Sequence, residues 1–183
     1  MKLSYLLTTL SVLVAGSSGA SASPTEKRQA GCTGTPVPLY RAWSNDLGNF
    51  DHFYTRSLGE IINAEPGYTQ EPDCCRLFAD NQTSSTVPFY RLWSGDAADH
   101  FYTTSEAQRT YALSIGYVDE GVTGWVYPAA LCGTVPLYRL YVDTGNGPTK
   151  KDHFYTIDAA ERDYAVSQYG YTFEGIEAYV FPA

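Results

Sequence analysis

Positive charge is scarce in this chain. Twelve lysines and arginines stand against twenty aspartates and glutamates, a formal net charge of −8. A surface of that sign repels phosphate backbones and anionic lipid, which argues against nucleic-acid and membrane-surface partners. Long apolar runs are absent too, apart from Leu6 to Ala15, and that run falls short of the roughly 20 residues a bilayer span requires. Cysteines are few and lack the paired CxxC spacing of a structural zinc site. No serine or cysteine is set apart as a nucleophile, and no carboxylate pair stands out at glycosidase spacing. An active site is normally singular, whereas every reactive group here occurs three times. The sequence therefore reads as non-enzymatic, with no catalytic residue, cofactor or metal site assigned.

What is present begins with an export signal. Lys2, the apolar run and Ala20-Ser21-Ala22 form the three parts of a signal peptide over residues 1–22. Lys27-Arg28 lies just beyond, in a polar stretch open to a dibasic protease, so residues 23–28 read as a short propeptide with Gln29 as the new N-terminus. Processing removes Lys2, Lys27 and Arg28 against Glu26 and takes the charge from −8 to −10. About 155 residues remain, enough for one domain with a real core. The expected location is extracellular.

In an oxidising compartment Cys32, Cys74, Cys75 and Cys132 fit two disulfides. A bridge between vicinal Cys74 and Cys75 would be strained. The expectation is therefore that Cys32 and Cys132 each bond one member of the pair. Asn81-Gln82-Thr83 is an N-glycosylation sequon in an expected loop.

Self-comparison then shows three copies of one unit. Val37-Pro-Leu-Tyr-Arg-Ala-Trp, Val87-Pro-Phe-Tyr-Arg-Leu-Trp and Val135-Pro-Leu-Tyr-Arg-Leu-Tyr open them. Asp-His-Phe-Tyr-Thr follows from Asp51, Asp99 and Asp152, then Gly67-Tyr68, Gly116-Tyr117 and Gly170-Tyr171, then Glu71, Glu120 and Glu174. Five identical residues three times over lie far beyond chance. The openers and the Asp-His-Phe-Tyr-Thr runs read as strands. Ser57-x-x-Glu60, Ser105-x-x-Gln108 and Asp158-x-x-Glu161 read as capping boxes, and the Gly-Tyr glycines as left-handed helix ends. Two more strands complete each unit. The expected fold is mainly β with one short helix per repeat. It is a pseudo-threefold β-trefoil-like domain over 29–183, with repeats at about 35–80, 85–130 and 133–183. A three-bladed propeller-like ring is the alternative.

The run Tyr-Arg-Leu-Trp…Asp-His-Phe-Tyr-Thr…Gly-Tyr…Glu-Gly…Tyr-Pro resembles a repeat family of unknown function. That family occurs in secreted fungal proteins and beside hydrolase domains in bacterial cell-wall enzymes. The resemblance covers residues 35–183 and implies attachment to glycans or cell walls. It brings no catalytic residues.

Three sets of residues are candidates for function. His52, His100 and His153 would make a zinc site if they met on a threefold axis; the preferred reading is that each hydrogen-bonds within its own unit. Arg41, Arg91 and Arg139 stand in apolar strands and need acids, for which Glu71, Glu120 and Glu174 are the expected partners. Trp43, Trp93 and Tyr141 precede loops of variable length holding Asn45, Asp46, Asn49, Asp96, Asp143 and Asn146. Aromatic faces stack on pyranose rings while such polar groups bind hydroxyls, so these are the expected ligand site and a cell-wall or surface glycan the expected partner. The competing expectations are an effector or inhibitor binding protein through the long loop with Lys150 and Lys151, and a structural wall protein.

Overall fold

A computed structural model describes residues 32–44, 50–143, 145 and 151–183. The signal-peptide and propeptide readings (1–22 and 23–28), Asn45, Asp46, Asn49, Asn146 and Lys150 lie outside the described residues.

The chain is mainly β, with three short helices and three antiparallel sheets, one per repeat. Unit one holds β1 (Val37–Ser44), β2 (Asp51–Thr55), α1 (Leu58–Ala64), β3 (Thr69–Gln70) and β4 (Cys75–Leu77). Unit two holds β5 (Val87–Ser94), β6 (Asp99–Thr103), α2 (Glu106–Ser114) and β7 (Val118–Val126). Unit three holds β8 (Val135–Asp143), β9 (Lys151–Thr156), α3 (Ala159–Tyr169) and β10 (Thr172–Val180). The opening strand is central in each sheet, between the Asp-His-Phe-Tyr-Thr strand and the closing one.

Four strands per unit hold only in unit one. In units two and three the last two merge into a nine-residue strand with shifts of register along its ladder. Gly121 and Gly175 lie at these shifts, at φ +91° and +128°, each opposite the recurring arginine of its unit. A residue with Cβ is disfavoured at such φ, whereas glycine carries the bulge and lets pairing continue. Unit one has Pro72 there, which has no N–H to give the ladder, and its strand divides into β3 and β4.

The helix ends divide the same way. Gly116 and Gly170 take positive φ, as expected. Gly67 does not; α1 stops at Ala64 because Glu65 precedes Pro66 and is extended, at φ −69° and ψ 144°.

The main core draws on all three units: Leu39, Phe89 and Leu137 from the opening strands, Tyr54, Tyr102 and Tyr155 from the next, and Leu77, Val126 and Val180 from the closing ones. Smaller clusters seat each helix, around Ile61, Ala112 and Ala165. Backbone bridges Arg76–Phe181, Phe78–Trp125 and Tyr127–Tyr179 join every pair of units, so the three sheets close on one another. Among the described residues no helix is long and apolar enough to cross a membrane.

The disulfide expectation is corrected. Cys32 bonds Cys132, with Cα atoms 5.4 Å apart, and Cys74 and Cys75 are buried free thiols. Cys75 lies opposite Leu39 as Ala178 lies opposite Leu137, and it fills that core position as a small apolar residue. Counting four cysteines as two bridges missed this packing role. The Cys74 thiol and then burial push the Cys75 thiol well up, which keeps it inert.

Candidate functional site

Where the three units meet, the repeated motifs interlock in one direction. The Tyr54 hydroxyl donates to the Tyr155 carbonyl (2.8 Å) and accepts from the Tyr155 N–H (2.8 Å). Tyr155 does the same to Tyr102 (2.6 and 2.8 Å), and Tyr102 to Tyr54 (2.8 and 2.7 Å). Three fully buried phenols thus close a ring of six hydrogen bonds.

The histidines form a second ring, and its pattern corrects the expectation that each bonds within its own unit. His52 donates its N–H and Nδ1–H to Asp152 (2.7 and 2.6 Å), His100 to Asp51 (2.7 and 2.6 Å) and His153 to Asp99 (2.8 and 2.7 Å). Each aspartate also accepts from a tyrosine of its own unit, Tyr68, Tyr117 or Tyr171, at 2.5–2.6 Å. What converges between the units is therefore the aspartates, with oxygens within 4.8 Å of one another, and each is already met by three donors. Burial works to lower the His52 and His153 pKa values, but the facing Asp152 and Asp99 carboxylates outweigh it and raise them. At Asp99, burial works upward while the His153 charge prevails and lowers it; at Asp51 burial prevails and raises it.

The arginines meet the expected acids. Arg41 Nε lies 2.9 Å from Glu71, Arg91 Nε 2.8 Å from Glu120 and Arg139 Nε 2.7 Å from Glu174. The guanidinium faces of Arg41 and Arg139 lie 5.3 Å from the rings of Phe154 and Phe101, one unit away. The remaining nitrogens reach the helix of a neighbouring unit: Arg41 bonds Glu161 (3.0 and 3.1 Å), Arg91 bonds Glu60 (2.9 and 3.2 Å) and Arg139 bonds Gln108 (3.0 Å). Gln108 brings no charge, and Arg139 takes a second carboxylate from Glu177. The capping-box reading is thus half right. Ser57, Ser105 and Asp158 do cap their helices, but the third-position side chains bond the next unit's arginine instead of reaching back. Sequence reasoning missed this use, although the same three residues were already in view.

Trp43, Trp93 and Tyr141 are half-buried, neither sealed in the core nor free in solvent. Each lies against the histidine of its own unit, with centroids 5.0, 4.4 and 4.6 Å apart. Asp96 is exposed in a turn, and exposed Asp143 pairs with Lys151 at 3.5 Å.

Between unit one and unit three the packing leaves a cleft of about 490 Å³. Trp43, Phe50 and Glu71 come from unit one, and Glu161, Tyr164 and Tyr169 from unit three. His52, Phe154 and Tyr171 also line it. Trp43 meets Phe50 edge-on at 5.2 Å, and Tyr164 meets Tyr169 edge-on at 5.4 Å. Both tyrosines are more than half exposed. They sit on an outward helical surface, and nothing in the repeat pattern marked them. Residues 33–181 match the model of a domain of unknown function, DUF5648.

The chain belongs to the DUF5648 family. No curated protein and no solved structure matches it. In this DUF5648 chain the interlocking bonds engage all three histidines, the three recurring arginines and the acids that face them. The cleft is where aromatic and carboxylate groups stay open to a ligand.

Proposed function

We propose that this chain is a secreted, non-catalytic carbohydrate-binding module on a trefoil-like scaffold, with its best-developed site in the cleft between units one and three. One observation carries the reading. Trp43, Tyr164 and Tyr169 present ring surface around about 490 Å³, with Glu71 and Glu161 as hydrogen-bond acceptors beside them. Ligand sites run to roughly 300–1,000 Å³ and combine apolar walls with a few placed polar groups. Pyranose rings suit such walls, since their C–H faces stack on aromatics while their hydroxyls reach acceptors.

The threefold plan supplies related but unequal sites. Counted from Glu161, Gln108 and Glu60, the position of Tyr164 is held by Tyr111 in unit two and by Asn63 in unit one. The junction using α2 keeps an exposed aromatic, and the one using α1 does not. Two sites on a rigid body would strengthen attachment to a multivalent wall through effective concentration.

A glycan array followed by calorimetry tests the reading. Tyr164→Ala should weaken binding about tenfold or more while leaving the melting temperature nearly unchanged, since exposed substitutions usually stay within about 0.5 kcal/mol. A blank array, or Tyr164→Ala and Trp43→Ala variants that bind as the native chain does, would remove the reading's support and turn attention to a protein target.

A further inference from the structure

The charge lining the cleft points to a narrower ligand class, an inference that rests on the carbohydrate reading above. Glu71 and Glu161 keep 27% and 36% of their side-chain surface accessible. The cations behind them are committed. Arg41 is 8% accessible, with both terminal nitrogens hydrogen-bonded to Glu161 and its Nε 2.9 Å from Glu71. His52 gives Nδ1 to fully buried Asp152, and its Nε2 lies 3.7 Å from Glu71. Three carboxylates thus face two cations, and the surplus is negative on the side open to solvent. Among the described residues no lysine or arginine lines the cleft. The acidic chain adds a long-range field of the same sign.

We propose that the cleft selects amino sugars carrying a free, protonated amine, as in β-1,4-linked glucosamine oligomers, over their N-acetylated or acidic counterparts. A hydroxyl gives Glu71 or Glu161 a neutral hydrogen bond. An ammonium gives the same oxygen a charge-assisted one, about twice as strong. The rings of Trp43, Tyr164 and Tyr169 add cation–π attraction within the same walls. A uronic acid or sulfated sugar would meet carboxylates, with no free cation among the described lining residues to answer it.

The test is calorimetry on the secreted chain with two probes, a glucosamine hexamer and an N-acetylglucosamine hexamer, at mildly acidic pH and two salt concentrations. The glucosamine hexamer should bind about tenfold tighter, and added salt should erode that advantage. Glu161→Gln should remove most of the difference, weakening the glucosamine hexamer several-fold more than the N-acetylated one. An amide already fills this position beneath Arg139, where Glu177 supplies a second carboxylate, and a melting curve checks that the variant folds with Glu71 alone facing Arg41. Equal or tighter binding of the N-acetylated hexamer overturns the inference. So does a preference that neither salt nor Glu161→Gln changes. If the array finds another glycan while both hexamers fail, the amine inference falls and the carbohydrate reading stands. If the array is blank, the carbohydrate reading falls first.

Discussion

At the scale of the residue, the three axial tyrosines set how much one hydroxyl matters. The Tyr102 hydroxyl serves both the N–H and the carbonyl of Tyr54. Tyr102→Phe keeps the ring but strands two buried backbone groups, each worth about 1–3 kcal/mol when unmet. The expected loss is about 2–4 kcal/mol, read from urea denaturation. Tyr111→Phe, on an exposed ring, is the control and should change stability by less than about 0.5 kcal/mol. A loss at Tyr102 no larger than the control would mean that the ring bonds contribute nothing net.

Helices and strands are tied together by the arginines. Arg91 leaves β5 to hold Glu120 in its own unit and Glu60 on α1 of the preceding one. Arg91→Ala should cost about 3 kcal/mol, because two carboxylates lose their counter-charge in a half-buried place. Glu60→Gln should cost much less, since the amide still accepts from Arg91 and Glu120 keeps its counter-charge. Chemical denaturation of both variants checks the order, and equal losses would contradict it. At this scale the sequence was partly legible. The strands, helix starts and Arg–Glu partners followed from repetition, because a motif seen three times reveals its own spacing. The direction of the cross-unit bonds did not follow, since spacing within a unit is silent about which neighbour a side chain faces. Pro66 and Pro72 had a local signal, but the pattern of the other two units overrode it. Cys74 and Cys75 were misread because thiol chemistry was weighed and thiol volume was not.

For the molecule as a whole, the histidine ring sets a pH window. His52 and His153 have raised pKa values when folded, against about 6.5 unfolded. Their contribution is therefore complete below about pH 6.5 and disappears as pH rises through the folded values. Asp99, lowered when folded, contributes above about pH 3.9 and loses this as pH falls through its folded value. Burial raises Asp51, which opposes Asp99 on the acid side, so the alkaline limb is the clearer test. Urea midpoints followed upward from about pH 6 should fall. Midpoints that rise through neutrality would show that the imidazoles are neutral in the fold.

The bonds around the axis all run one way: the aspartate of each unit receives the histidine of the next, and the third unit's Asp152 receives the first unit's His52. A head-to-tail contact of this kind either closes at a fixed number or propagates without end. Here the rotation closes at three. Repeat number in this chain is therefore not free to drift, as it is in a solenoid, where each added unit simply extends the stack. Loss of one copy would leave a donor face and an acceptor face with nothing to meet, and gain of one would have no seat in the ring. Such a chain can diversify only by changing its copies in place, and α1, α2 and α3 do differ in length and in what they show to solvent.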